Sequence, residues 1–219
     1  MNRLLFEKTG KAIYISHLDT MAMFPRVFLR AGLHVKFTQG MNPHAYVSIA
    51  MPLSVGTSSQ CEILDFTLEE EDMPLESLPE RLNPYFPAGI RVLSAYDSPR
   101  KIKELRYLQC NVRLEYDGGA GDEIKDSLSL LFRRDTLPVE KKSKKGMVET
   151  DIKPMISTMG VSRISPQELE LQGIICAQNP ALNPQLLINA IGRYLPECMP
   201  DFWWAKRMEV YDEEGRIFR

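Results

Sequence analysis

The sequence predicts an α+β fold made of two successive split βαβ units with antiparallel sheets. Three observations lead there. Over the first hundred residues the readable order is strand–helix–strand–strand–helix–strand. The same order recurs, less cleanly, in the second half. The 219 residues are enough for two units of roughly 100 residues each. This is the ferredoxin-like pattern, drawn twice.

The elements follow in order. Residues 3–7 read as a first strand, Thr9-Gly10-Lys11 as a turn, and 12–15 as a second extended piece. Ser16 or Asp19 is placed to cap a helix that runs to about Leu33, with Gly32 as its stop signal. Met21, Phe24, Phe28 and Ala31 recur at helical spacing, and Pro25 marks a helix start or a kink. Residues 35–38 form a short strand, 40–44 a loop, and 46–51 and 62–68 further strands. In the last of these Ile63, Asp65 and Thr67 alternate with Leu64, Phe66 and Leu68. The acidic run Glu69-Glu70-Glu71-Asp72 is a turn and helix start. Leu75, Leu78 and Leu82 give an apolar stripe ended by Pro84 and Pro87. A strand over 90–95 closes the first unit, residues 1–98.

The second unit, 99–219, starts with a strand over 106–116 and a glycine-rich loop, 117–121. A helix over 123–132 puts Ile124, Leu128 and Leu131 on one face. Strands are expected at 136–142, 147–152 and 168–177. A helix over 183–195 follows, and a strand pair, 202–211 with 216–218, finishes the chain.

Composition narrows the function classes. The hydrophobic fraction of 44% and charged fraction of 26% are those of a globular protein with a real core. A formal net charge of -2 argues against coating nucleic acid through bulk charge and leaves room for a local basic patch. Cys61, Cys110, Cys176 and Cys198 are far apart, with no CxxC and no CxxxCxxC run. They read as buried or free thiols of a reducing compartment. There is no signal-peptide-like apolar run at the start and no stretch near the ~18 apolar residues of a membrane span. The expected location is the cytoplasm, without a membrane partner.

The densest polar stretch runs from Ser16 to Gly56. It holds Ser16-His17-Leu18-Asp19, then Arg26 and Arg30 on one helix face, then Gln39-Gly40-Met41-Asn42-Pro43-His44, and last Pro52-Leu53-Ser54-Val55-Gly56. The candidate catalytic residues are His17, Asp19 and His44. An imidazole there suits a general base, with Asp19 either capping the helix or orienting His17. Arg26 and Arg30, one turn apart, suit a phosphate backbone together with Lys36, or equally a solvated helix face. Gln39, Gly40, Asn42 and Gly56 belong to loops whose backbone N–H groups can bind an anion. No spacing signature supports a metal site. Gly56-Thr57-Ser58-Ser59-Gln60 lacks the Gly-Lys-Ser/Thr of a P-loop, and Glu62 and Asp65 point to opposite strand faces. In the second half Lys141, Lys142, Lys144 and Lys145 are the strongest basic run, readable as a phosphate contact or a solvated hairpin tip. Of the adjacent Trp203 and Trp204, at most one can face the core; the other is exposed or covers an interface.

These motifs resemble a family. The run from Phe6-Glu7-Lys8-Thr9-Gly10 through Ile15-Ser16-His17-Leu18-Asp19, then Arg30-Ala31-Gly32-Leu33, Gln39-Gly40-Met41-Asn42-Pro43-His44, Pro52-Leu53-Ser54-Val55-Gly56 and Glu62-Ile63-Leu64-Asp65 are similar to those of the bacterial radical-SAM-linked proteins. That family is defined by a domain of unknown function, encoded beside or fused to a radical S-adenosylmethionine protein that often carries a cobalamin-binding domain. The motif-rich match covers about the first 70 residues. The sequence departs from it at Met21-Ala22-Met23, where a polar residue is common, and at Met41, where Phe is usual.

The resemblance implies a separate radical SAM protein as partner. S-adenosylmethionine, the iron–sulfur cluster and cobalamin are then expected on that partner and none on this chain. The leading expectation is an accessory or substrate-presenting protein, with structured RNA (tRNA or rRNA) as the substrate presented for modification. Two alternatives stand beside it: a stand-alone RNA-processing or RNA-modifying enzyme using His17 or His44, and a structural adaptor.

Overall fold

The computed structural model describes every residue except 71, 72, 144 and 145, and of 142 and 143 it describes the backbone only. The chain divides into two units, Met1–Glu104 with Arg219, and Leu105–Phe218. The boundary expected near Asp97 lies a few residues before that division.

In the first unit β1 (Asn2–Lys8) leads through a 3-10 turn (Gly10–Tyr14) into α1 (His17–Arg30). The short β2 (Val47–Ile49) and long β3 (Ser58–Phe66) follow, then α2 (Leu78–Leu82) between two further 3-10 turns, then β4 (Ile90–Asp97). The sheet order is β4-β1-β3-β2, with every pair antiparallel, as the split βαβ pattern requires. Alternation along β1 and β3 turns Leu4, Phe6, Leu64 and Phe66 toward the helices. There they meet Phe24, Val27 and Phe28 of α1 and Leu78 and Leu82 of α2, all nearly or fully buried. Phe24 packs edge-on to Phe6 and to Phe86, with ring centroids 5.0 and 5.2 Å away. Asn83 clamps β4 by donating Nδ2–H to the Val92 carbonyl and accepting the Val92 N–H.

The opposite face of this sheet holds a buried charge. Arg3 is fully buried and donates from Nε to Asp65 Oδ1 at 2.6 Å and from a terminal nitrogen to Asp65 Oδ2 at 3.3 Å. Its other donors reach Ser98 Oγ and the Arg100 carbonyl. Asp65 therefore points away from the helices, opposite to the buried Glu62, as the three-residue spacing predicts.

Two expectations are corrected here. Residues 12–15 do not extend; Gly10 takes φ +53° and starts a 3-10 turn instead, which shortens the path from β1 to α1. Pro25 lies inside α1, not at its start.

The second unit repeats the arrangement. β5 (Tyr107–Glu115), α3 (Asp122–Phe132), β8 (Ile156–Ser165), β9 (Glu168–Cys176), α4 (Gln185–Tyr194) and β10 (Phe202–Tyr211) form a sheet in the order β10-β5-β9-β8. Between α3 and β8 an inserted hairpin, β6 (Pro138–Ser143) with β7 (Gly146–Asp151), makes its own two-stranded ladder. It rests on α4, where Tyr194 donates to the Pro138 carbonyl. The two segments expected as sheet strands are thus this hairpin, and the sheet position belongs to β8. β8 was not legible because it is an edge strand with only Ile156 buried, so it carries no apolar alternation. The expected final strand pair reduces to an isolated bridge between Tyr211 and Ile217. Leu108, Val112, Leu114, Leu169, Leu171 and Ile175 face α3 and α4 and make the second core.

Candidate functional site

The polar stretch 16–56 resolves into two places at opposite ends of α1. The helix has 14 residues, which at 1.5 Å each separates its ends by about 20 Å.

At the first end, Ser16 caps α1. Its Oγ accepts the Asp19 N–H at 3.1 Å and donates to Asp19 Oδ2 at 2.7 Å. Thr20 is buried and returns its hydroxyl to the Ser16 carbonyl. Ser16 is thus the N-cap of α1, and the Asp19 carboxylate, which holds the capping hydroxyl, is also favoured by the helix dipole. Asp19 is bound to Ser16, and no hydrogen bond joins it to His17 among the described residues. His17 is half-buried and makes no hydrogen bond among the described residues. The Gly56 N–H donates to the Ile13 carbonyl at 3.0 Å, and Gly56 has φ +85°. Buried Lys8 donates to the Ile15 carbonyl. The structure thus ties Gly56 of the Pro52–Gly56 motif to Ile13, three residues before Ser16.

At the second end, residues 34–38 lie between two partners. Lys36 N–H donates to the Thr67 carbonyl, Tyr46 N–H to Lys36, and Thr38 N–H to His44. The loop turns at Gly40, with φ +134°, as its glycine predicts. His44 is exposed; its Nδ1 lies 3.1 Å from Thr38 Oγ1, which also accepts the His44 N–H. No partner for Nε2 is present among the described residues. Thr38 and Tyr46 stand between two grooves. One, about 440 Å³, is walled by His44, Ser48, Asp65 and Thr67; the other, about 550 Å³, by Lys36, Phe37, Gln39 and Glu69. Gln39 thus lines a groove, while Asn42 lies exposed in the loop with its carbonyl 3.4 Å from His44 Nδ1.

Arg26 and Arg30 are exposed on the outer face of α1, with no ion pair among the described residues. In the second unit Lys141 is half-buried on β6, Lys142 pairs with Met147 in the hairpin ladder, and Lys144 and Lys145 lie outside the described residues.

Three residues of this end escaped sequence reasoning. Phe37 and Tyr46 are 55% and 51% exposed, large aromatic surfaces beside Lys36. The available signal is one large aromatic on either side of the Gly40–His44 loop, Phe37 in an isolated bridge with Ala45 and Tyr46 just before β2. His34 places Nδ1 2.8 Å from Glu70 Oε1, and its N–H also reaches that carboxylate. That hydrogen bond holds the Glu70 carboxyl below its ordinary range.

The four cysteines are free and buried, and burial pushes the Cys110 thiol up to about 12, far from a thiolate nucleophile. Among the described residues no three His, Cys, Asp or Glu side chains are grouped to hold a metal ion. No helix among them is long and apolar enough to cross a membrane.

Fold and site together define an α+β protein of two split βαβ units with a polar, aromatic loop end on the first. The chain matches, over residues 2–184, the family described as an uncharacterized protein conserved in bacteria (DUF2344), and it belongs to that family. No curated protein matches it. Among solved structures it is similar to a chain of the crystal structure of a Cbf5-Nop10-Gar1 complex, with a TM-score of 0.54 and 8% identity over 97% of this chain and 50% of that one. It spans half the length of that neighbour, and the likeness is one of fold.

Proposed function

We propose that the chain is an accessory protein that holds structured RNA for a separate radical SAM enzyme. The observation that carries the RNA part is the loop end of the first unit. Two grooves there share Thr38 and Tyr46 and are lined by groups that stack on or hydrogen-bond to nucleotides. Lys36 contributes positive charge at the groove, and Arg26 and Arg30 add two cations on α1 that have no ion pair among the described residues.

Presenting fits the geometry better than acid–base catalysis by this chain. A general base and its partner must stand within hydrogen-bond reach. His17 and His44 lie at opposite ends of α1, and Asp19 is engaged with Ser16. The radical SAM partner rests on the motifs at Ser16–Asp19, Gln39–His44 and Pro52–Gly56, which resemble those of radical-SAM-linked proteins. S-adenosylmethionine, the cluster and cobalamin belong to that partner in this reading.

The test is a native pull-down of the tagged chain from its host, reading both proteins and RNA. A stoichiometric radical SAM protein together with one class of folded RNA is the expected result. Lys36→Ala and Tyr46→Ala should lose at least tenfold of the recovered RNA and keep the protein partner. A stable preparation with neither partner overturns the proposal. In that case turnover of RNA by the isolated chain, abolished in His17→Ala, is the outcome that makes it an enzyme in its own right.

A further inference from the structure

Helix α1 is apolar on two sides. Phe24, Val27 and Phe28 pack on the first sheet. At 3.6 residues per turn, Leu18, Ala22, Pro25 and Leu29 fall in a narrow stripe on the far side. Leu18 is 77% exposed and Leu29 64%, Ala22 is exposed and Pro25 half-buried. The outer face of a surface helix ordinarily carries polar groups. This one sets four apolar residues in line, with both leucines more than half in water.

The spacing of the stripe defines the shape that covers it. Steps of four, three and four residues are the heptad rhythm by which one helix packs along another. Leu18 and Pro25 take the d positions, Ala22 and Leu29 the a positions. Asp19 and Arg26 both fall at e, on one flank of the stripe. Arg26 has no ion pair among the described residues. Asp19 holds the Ser16 hydroxyl through Oδ2, and its Oδ1 has no hydrogen bond among them.

These positions are complementary to themselves. When α1 lies antiparallel to α1 of a second copy across a twofold axis, a meets d. Leu18 then meets Leu29 of the second copy, and Ala22 meets Pro25 of the second copy, each contact being made twice. The small pair lies in the middle, where two crossing helices come closest, and the leucines close the ends. In this register e faces e, so Arg26 stands beside Asp19 of the second copy, also twice. Parallel pairing sets e against g, where Met21 and Phe28 offer no charge. The antiparallel register is the one in which both the sizes and the charges match.

We infer that the outer face of α1 is a contact between two copies of this chain, joined as an antiparallel helix pair with the apolar stripe between them. The seam is one short helix long, so the dimer is weak and reversible. The inference goes beyond the RNA-holding reading and does not depend on it.

Sedimentation equilibrium of the full chain, from about 10 to 500 µM, tests it. The expected result is a monomer–dimer equilibrium with no larger species, because a twofold contact closes on itself. Leu18→Glu puts a carboxylate in the first turn of α1 and Leu29→Lys an ammonium in the last, each where the helix dipole favours it. Both variants should therefore keep the wild-type melting temperature. Each alone should dimerise at least tenfold more weakly than the wild type. Mixed in equal amounts, the two should associate at least fivefold more tightly than either alone. One contact then sets the carboxylate at 18 against the ammonium at 29, and the other stays leucine on leucine. Arg26→Glu, which would face Asp19 of the second copy, should weaken the dimer at least threefold. A chain that stays monomeric throughout overturns the inference. So does a dimer unmoved by Leu18→Glu and Leu29→Lys, which would place the self-contact on another surface, or a mixture no tighter than its parts.

Discussion

Replacing Asp65 with asparagine probes the buried charge that ties the open face of the first sheet to the loop end. Arg3 is fully buried and gives two hydrogen bonds to Asp65, whose side chain is 11% exposed. Removing one partner of a buried ion pair costs about 3–5 kcal/mol, because the other charge stays behind uncompensated. Asparagine still offers Oδ1 to the Arg3 Nε–H, and Ser98 and Arg100 keep their bonds to the guanidinium. The loss should therefore fall at the low end, about 3 kcal/mol. The double variant Arg3→Met, Asp65→Leu removes both charges and should be less destabilised than Asp65→Asn alone, since apolar replacement of a buried pair is often neutral. Urea unfolding of the full chain, followed by circular dichroism, measures both. A loss below about 1 kcal/mol for Asp65→Asn, the range of an ordinary surface change, refutes the reasoning. So does a double variant weaker than the single.

Two further outcomes follow from the ends of α1. Ser16→Ala removes both of its bonds to Asp19 and should cost about 1 kcal/mol, read as a lower melting temperature. Glu70 has a folded pKa below its ordinary 4.5, caused first by the His34 hydrogen bond. Its contribution to stability is thus complete above pH 4.5 and is lost as pH falls through the lowered value. In His34→Ala the Glu70 carboxyl should titrate at higher pH by side-chain NMR; an unmoved titration would remove His34 as the cause.

The fold was legible where one face of a strand or helix is buried. Leu4 and Phe6, or Leu64 and Phe66, alternate with outward residues, and Met21, Phe24 and Phe28 keep helical spacing, so period and order were readable. Legibility failed where burial does not impose a pattern. β8 is an exposed edge, and the 3-10 turn from Gly10 takes the place of the extended piece expected over 12–15, a run too short for any period. β7 of the inserted hairpin is exposed over four successive residues, so no alternation marks it, and a strand pattern alone cannot say which sheet a strand joins.

The site shows a different limit. Polar density along the sequence points to one stretch, Ser16 to Gly56, yet α1 sets its two halves about 20 Å apart. At the near end most of that density is structural: Ser16 caps, Asp19 answers Ser16, Thr20 closes on the backbone, and Gly56 anchors a loop to Ile13. His17 alone among these residues has no such task. At the far end the polar groups are turned outward around Tyr46 and Thr38, and few of them are consumed by the fold. A shared motif spacing therefore reports two constraints through one helix. Ser16 and Asp19 set where α1 begins, and its 14 residues set where Lys36, Thr38 and His44 are delivered. Weakening the cap should lower stability and leave the far grooves intact. Losing Tyr46 should do the reverse, and that contrast separates what the motif builds from what it presents.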